Sequence, residues 1–409
     1  MYPLKNIISG LSEACAGRFN LPRKSYRSVV PRDPKENALR RKVENQEDAT
    51  AEYLLGTAYL HGDGVRQSAA EAANWFRMAA ERGLAKAQYH LGLRLMSGEG
   101  VRKDENAAVN WFRMAAEQGL PEAQLEFGLV LWSGRKLEKD QAEAVAWFRR
   151  AADQGLAQAE NYLGTAYRDG EGVARDQTEA IRCFRLAAER GFGEAQYNLG
   201  LALQTGVGLD MDKPEGAKWL RKAAEQGVLE AAYRLGLALQ NGDGIDEDPS
   251  EAARWLLKAA HQGLPEAENL VGLCYLNGKG VARDETEAVQ WFRKAAEQGL
   301  ADAQYQLALC LSNGDGTAKS PANAIKLFKK AAGQGHLSAL HHLGLAFYYG
   351  KGVALKPKEA IKYFRLAAEQ GLSDAQYQLA LALTCGEGIA RNEEEARFWF
   401  RKAGADISP

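Results

Sequence analysis

The feature that most constrains the fold of this chain is an internal period of 36 residues. A motif close to Ala-Ala-Glu-Gln-Gly-Leu recurs along the sequence, and its glycine occurs at positions 83, 119, 155, 191, 227, 263, 299, 335 and 371. A unit of this length cannot bury its apolar face alone, so neighbouring units must stack on one another. The sequence therefore predicts one continuous solenoid, although 409 residues would otherwise suggest several globular domains.

Each copy of the repeat contains the pattern of two helices. In the first helix, Leu55 and Tyr59 are one turn apart and indicate a buried stripe. Gly56 lies between them, and its column holds glycine in eight of the ten copies and alanine at 308 and 380. A position restricted to a hydrogen or a methyl group predicts that two helix backbones approach closely there.

A Gly-x-Gly turn joins the two helices in every copy except the third, where Gly134 is followed by Arg135 and Lys136. A phosphate-binding glycine loop would follow a strand, whereas a helix precedes this turn each time. We therefore interpret the glycines as helix-ending residues. Next comes a residue such as Ser68 with a glutamate three positions later, here Glu71, and this pair predicts a capping box.

The second helix has two recurrent features. Its N-cap column holds Ser, Asp or Asn in nine copies, including Ser320, and Lys356 in the tenth. Inside the helix a pair such as Trp75-Phe76 recurs in most copies. A tryptophan stripe can mark a cofactor or carbohydrate site, but recurrence at one position of nearly every unit favours a place in the core. We expect no cofactor.

The net charge of −1 conceals an asymmetry along the chain. Residues 1–43 contain ten Lys or Arg and three acids, which leaves 42 basic and 50 acidic residues for the remainder. Nucleic-acid backbones are bound by basic stripes, so an acidic repeat array argues against a nucleic-acid partner. No apolar run reaches the roughly 20 residues of a membrane span, so we expect no integral membrane segment.

Cysteine usage favours a reducing compartment. The five cysteines are odd in number and form no recurrent pair, so no disulfide can be assigned to each repeat. We therefore expect a cytoplasmic protein. Two alternatives remain open: targeting to an organelle by the basic N-terminal segment, or export.

The sequence divides into four segments. Residues 1–34 form a basic arm that we expect to be partly disordered, and residues 35–48 fit a polar capping helix with Leu39 in the Trp75 column. Ten repeats follow over residues 49–404, and residues 405–409 form a C-terminal tail.

The consensus A-x-x-x-L-G-x-x-Y/L-x-x-G-x-G-V-x-x-D-x-x-E-A-x-x-W-F-R-x-A-A-E-Q-G resembles the Sel1-like repeat, a member of the tetratricopeptide-like superfamily, over residues 51–404. The resemblance implies an all-α solenoid of ten 36-residue helix-turn-helix repeats that forms a right-handed superhelix. It also implies that the first helices line a concave groove, and that the protein is an adaptor between proteins and not an enzyme.

Residues that commonly carry catalysis or bind metals show no functional spacing. The six histidines include no i, i+4 pair, and no His-Cys ligand spacing occurs. Only His336, His341 and His342 come close together in the sequence. We therefore assign no catalytic residue and no metal site.

A partner in the groove would contact two columns of the first helix. The Tyr53 column is aromatic in most copies, and either packing between neighbouring first helices or recognition explains that. The Leu60 column varies, with large apolar members at Met96, Trp132 and Tyr348, and Tyr349 follows the last of these. Recognition or local contacts between turns would explain this second pattern. The predicted contacts are Tyr53, Tyr89, Met96, Trp132, Tyr197, Tyr233, Tyr305, His341, Tyr348, Tyr349 and Tyr377.

These observations predict a protein-protein interaction scaffold that binds a protein or peptide in the concave groove. The alternative is a dedicated inhibitor, immunity protein or chaperone that sequesters a single partner protein.

Overall fold

The computed structural model describes residues 48–405, and every regular element in that range is an α-helix. Twenty helices follow one another in pairs. The first helices of the pairs are α1 (Ala49–His61), α3 (Ala85–Ser97), α5 (Pro121–Ser133), α7 (Ala157–Asp169), α9 (Gly193–Thr205), α11 (Leu229–Asn241), α13 (Pro265–Asn277), α15 (Ala301–Asn313), α17 (Leu337–Tyr349) and α19 (Ser373–Cys385). The second helices are α2 (Ala69–Glu81), α4 (Glu105–Glu117), α6 (Gln141–Asp153), α8 (Gln177–Glu189), α10 (Lys213–Glu225), α12 (Pro249–His261), α14 (Glu285–Glu297), α16 (Pro321–Gly333), α18 (Pro357–Glu369) and α20 (Glu393–Lys402). The predicted all-α solenoid is confirmed.

The chain divides into two compact units after Ala115, which lies within α4. Consecutive helices pack against one another within a unit, as α1 does against α2 and α9 against α10. No helix of the described range is long and apolar enough to cross a membrane.

Glycines end the first helices as predicted. Gly170 adopts φ 74° and its N–H donates to the Ala166 carbonyl at 2.9 Å. The second glycine of the turn, Gly172, also has a positive φ, and a Cβ there would lie 2.2 Å from the Gln141 carbonyl oxygen of the preceding repeat. Only glycine fits such a contact. In the third copy Lys136 occupies the left-handed region with φ 70°, the one non-glycine residue of the described range to do so.

Only one half of the predicted capping box forms. The Asp176 carboxylate accepts the Glu179 N–H at 3.0 Å, and equivalent bonds form in most copies. The N-cap N–H, however, donates to the preceding first helix, at 2.9 Å to the Tyr167 carbonyl, so the glutamate side chain is not needed there. Ser320 is the N-cap of α16 as predicted, but its hydroxyl makes no cap hydrogen bond.

The core is built on the phenylalanine of each Trp-Phe pair. Phe292 is fully buried, and a Cβ on Gly272 of the adjoining first helix would lie 2.5 Å from its ring. The small-residue column therefore makes room for an aromatic ring, and not only for a neighbouring backbone as predicted. Placing the whole tryptophan column in the core is also wrong. Trp291 is buried but Trp255 is half-buried, and Lys258 lies over its indole with Nζ 4.8 Å from the ring centroid.

A column of buried polar side chains links several repeats to the one before them, and the sequence reasoning missed it. The Gln196 side-chain amide donates to the backbone carbonyl of Ala188 in the preceding repeat at 3.2 Å. The Gln196 side-chain oxygen accepts from Gln226 at 2.8 Å. In two other copies the pair is an ion pair, such as Glu160 with Arg190 at 3.2 Å. The signal in the sequence was that glutamate and arginine appear together at a separation of 30 residues.

Three of the predicted segments lie wholly or largely outside the described residues: the basic arm at 1–34, the capping helix at 35–47, and the tail beyond residue 405. Asp48, which we assigned to the end of the capping helix, is the N-cap of α1 and accepts the Thr50 N–H at 2.9 Å.

Candidate partner-binding surface

Each first helix leaves one stripe of side chains accessible. The stripe consists of the columns of Thr50, Leu54, Thr57 and His61, which share one side of the helix because they are three or four residues apart. The Thr50 and His61 columns are mostly exposed, and the Leu54 and Thr57 columns are mostly half-buried. We call this stripe, together with the adjoining columns of Tyr53 and Leu60, the first-helix face.

The Tyr53 column packs against the core as well as reaching the surface. Tyr53, Tyr89, Tyr197, Tyr233, Tyr305 and His341 are half-buried, and Tyr377 is exposed. The Tyr305 ring lies 5.8 Å from the core ring of Phe328 and 5.4 Å from His342 of the next first helix. Burial raises the pKa of the Tyr233 and Tyr305 phenols, so both keep their O–H donors at neutral pH. The packing contact is present, and recognition by the outer ring edges stays a prediction.

Tyr348 and Tyr349 are in contact, and their role in recognition stays a prediction. Their ring centroids are 5.0 Å apart in an edge-to-face arrangement. The Tyr348 hydroxyl donates to Glu387, which lies in the Gly-x-Gly turn of the next repeat. Tyr349 is 55 % exposed, although the Lys351 ammonium lies 5.5 Å from its ring centroid. An aromatic side chain this exposed at the end of a helix provides contact area that the repeat does not use.

Met96 and Trp132 occupy the same column in the two different units, and both are half-buried. The Trp132 ring lies 5.8 Å from the buried ring of Phe148. Trp132 therefore covers a core residue with one side, so its apolar bulk has a packing partner that the sequence did not reveal.

A second variable column of the first-helix face was not among the predicted contacts. Its members are Leu54, His90, Glu126, Tyr162, Asn198, Arg234, Leu270, Gln306, His342 and Gln378. Several contact the previous first helix: Asn198 donates to Asn161 at 2.9 Å, for example. Burial raises the pKa of the Glu126 carboxyl. The variation of this column between copies was a signal that could have identified it.

An acidic column lies at the start of the first helices. Glu194, Glu230, Glu266 and Asp302 are exposed and occupy one position in four successive repeats. An open cleft of about 380 Å³ lies between the starts of α9 and α11, lined by Phe192, Gly193, Glu194, Gln226, Gly227, Val228, Leu229 and Glu230.

The histidines close together in the sequence are also close in space, in an aromatic cluster. The His336 ring stacks on Tyr305 at 4.5 Å, and its Nε2 lies 3.3 Å from an Asp302 oxygen. Burial, reinforced by the neighbouring His342, lowers the pKa of His341. The described residues contain no group of three or more His, Cys, Asp or Glu side chains arranged to hold a metal ion.

Paired helices in strict repetition, with side chains of one repeat bonded to the next, define an α-solenoid of the helix-turn-helix class. The Sel1 repeat profile matches this chain ten times, at residues 49–84, 85–120, 121–156, 157–192, 193–228, 229–264, 265–300, 301–336, 337–372 and 373–406. The chain belongs to the Sel1 repeat family.

Solved structures agree with this assignment. The c5321 protein, a protective antigen of uropathogenic Escherichia coli with an SLR fold, is 36 % identical over 90 % of this chain and 79 % of its own, with a TM-score of 0.80. A Sel1 repeat protein from Oxalobacter formigenes is 33 % identical over 76 % of this chain and 90 % of its own, with a TM-score of 0.56. The immunity protein Pa5087 from Pseudomonas aeruginosa is 19 % identical over 67 % of this chain and 85 % of its own, and its TM-score of 0.34 carries no functional conclusion. No match was found among curated proteins.

Proposed function

We propose that this protein is a scaffold that binds a protein or peptide partner along the first-helix face, the surface expected to line the concave groove. The observation that carries the proposal is the difference between the columns of the repeat. The core columns are nearly invariant because stacking dictates them, whereas the accessible columns change from copy to copy. Variation on an accessible face equips each position for a different contact.

The aromatic pair of half-buried Tyr348 and exposed Tyr349 supports the same assignment. It lies on the first-helix face, and the exposed fraction of Tyr349 is larger than packing within α17 requires. Aromatic side chains of this kind are the anchors that dominate many protein interfaces.

The chain offers a matched pair of variants to test this function. Tyr349 on the first-helix face and Phe398 on the second helix α20 are both exposed aromatics, at 55 % and 45 %, and each has a lysine within 6 Å of its ring. Affinity capture from native cells, followed by mass spectrometry, should recover the partner with wild type and Phe398→Ser, and several-fold less with Tyr349→Ser.

Equal recovery with both variants would contradict the proposal, as would a loss confined to Phe398→Ser. The same experiment addresses the sequestering alternative. One dominant stoichiometric complex would favour an inhibitor, and several weaker partners would favour a scaffold.

A further inference from the structure

The acids that begin the first helices differ from those that begin the second helices. Among second helices, Glu215 pairs with Lys218 at 3.2 Å and Glu359 with Lys362 at 3.0 Å. On the first helices, Glu194, Glu230 and Glu266 have no ion pair within the described part of the chain, and Asp302 faces only the His336 ring. We call these four residues the acidic strip.

Two charged neighbours could still compensate the strip. Arg234 follows Glu230 by one helical turn, but its guanidinium lies toward Tyr233, 5.9 Å from that ring centroid. His336, on the turn before α17, stacks on Tyr305 and reaches only Asp302. Three carboxylates of the strip therefore have no ion-pair partner among the described residues, and Asp302 extends the acidic row to a fourth repeat.

One helical turn after each acid is a residue that can accept a cation or a donor. Tyr197, Tyr233 and Tyr305 offer half-buried rings, and Asn269 stands at the same position of α13. Asn269 is only 8 % exposed and its carboxamide oxygen has no hydrogen-bond partner among the described residues, whereas the equivalent Asn161 oxygen accepts from Asn198. A donor on a partner would satisfy this buried acceptor.

The strip also has apolar surface beside it. The cleft between α9 and α11 has Glu194 and Glu230 at its edges and Phe192, Val228 and Leu229 in its lining. Lysine and arginine side chains suit such a surface, because their methylene stems contact apolar atoms while the charged end reaches a carboxylate.

The distance between neighbouring acids of the strip indicates which kind of cation they can bind. Neighbouring first helices are about 10 Å apart, which is too far for two carboxylates to share one small ion. A polypeptide in the polyproline II conformation has three residues per turn and advances about 3.1 Å per residue, so every third side chain lies on the same side and meets the next repeat.

We propose that the acidic strip binds an extended cationic segment of the partner protein, with lysine or arginine at every third position. This assignment rests on the proposed scaffold function and names the chemistry of its partner. The Tyr197 and Tyr233 rings supply cation–π contacts, and the strip supplies the countercharge.

Fluorescence anisotropy with labelled 12-residue probes tests the proposal on the full-length protein. One peptide carries Lys-Ser-Ser four times, the second has the same composition with its four lysines consecutive, and the third carries Glu-Ser-Ser four times. We expect the spaced peptide to bind about threefold or more tightly than the clustered one, the acidic peptide not to bind, and affinity to fall between about 20 and 150 mM salt.

Matched variants locate the site. Glu230→Gln with Glu266→Gln removes two charges from the strip, and Glu225→Gln with Glu297→Gln removes two exposed charges from second helices. The first pair should weaken the spaced peptide about tenfold and the second pair should leave it nearly unchanged.

Three results would overturn the proposal: no binding of the spaced peptide, no preference for its spacing, or equal losses with both pairs. None of these affects the capture experiment with Tyr349→Ser. If that variant loses the partner while the peptide results fail, the scaffold function stands and the cationic partner is rejected.

Discussion

Two single residues depart from the repeat in ways that cost stability, one through its backbone conformation and one by burying a charge. Lys136 takes a left-handed conformation that glycine holds in the other copies. Glu268 is a buried acid in the polar column between repeats, where most other copies carry glutamine. Both departures should cost stability, and both can be tested by restoring the residue that the other copies use.

Replacing Lys136 by glycine should stabilise the protein by about 1 kcal/mol. A side chain at φ 70° costs roughly 1–2 kcal/mol, partly offset by the greater freedom of glycine in the unfolded chain. The measurement is thermal or denaturant unfolding. As a control, Lys139→Gly nearby, at a position without a positive φ, should not stabilise.

Replacing Glu268 by glutamine should stabilise the protein at neutral pH. Burial raises the pKa of this carboxyl above its usual 4.5, while Gln298 and Lys294 oppose that rise. A carboxyl whose pKa is raised in the folded state contributes to stability only while it is protonated. That contribution is fully present below the unfolded pKa and is lost as the pH rises through the folded pKa. The gain from Glu268→Gln should therefore be present at pH 7 and disappear near pH 4.

Glu160→Gln is the contrast for that experiment. Its carboxylate pairs with Arg190, so this substitution should destabilise the protein at pH 7. Unfolding curves across pH that show the same sign for both variants would contradict the assigned roles.

At the scale of the helix, the two helices of a repeat differ in role: the second helix mainly packs the core, and the first helix also leaves a stripe accessible to a partner. Most second helices bury a phenylalanine, replaced by leucine in α10 and α12. Most also present a tryptophan, often half-buried, with a lysine or arginine over its ring in several copies. The first helices bury one stripe and leave another accessible.

A comparison of two tryptophans tests this division. Trp291→Ala should cost roughly 3–5 kcal/mol, because the side chain is 3 % exposed. Trp132→Gln should cost about 1 kcal/mol for its contact with Phe148, and should weaken the native partner by about 2 kcal/mol or more. The measurements are denaturant unfolding and partner affinity for each variant. Equal loss of stability would reassign Trp132 to the core.

The sequence predicted the features that each column of the repeat sets locally. It missed the features that depend on contacts with a neighbouring helix. Period, helix-ending glycines and N-caps were legible because one residue type satisfies each local requirement. The second half of the capping box failed because the Tyr167 carbonyl of the preceding helix takes that N–H. Likewise, only the three-dimensional contacts distinguish buried Phe292 from half-buried Trp255. The Leu54 column was missed because helix spacing alone did not show which stripe is accessible.

For the whole molecule, nearest-neighbour stacking makes the repeat the unit of stability. Excising residues 193–228, one complete repeat, should leave a folded protein whose helical signal per residue is unchanged. Excising 193–210 breaks a helix pair and should lower the melting temperature far more. Circular dichroism measures both, and equal unfolding of the two variants would contradict the stacking account.

The central claim is that a partner lies along the first-helix face, and photo-crosslinking in native cells tests it most directly. A photoreactive phenylalanine analogue is placed at Arg234 or Gln306 on that face, and at Lys218 or Gln290 on second helices. Arg234, Lys218 and Gln290 are exposed and Gln306 is half-buried, so access alone does not favour the first-helix set. We predict crosslinks to the partner from Arg234 and Gln306 and none from Lys218 or Gln290. Crosslinks from the second helices alone would contradict the account.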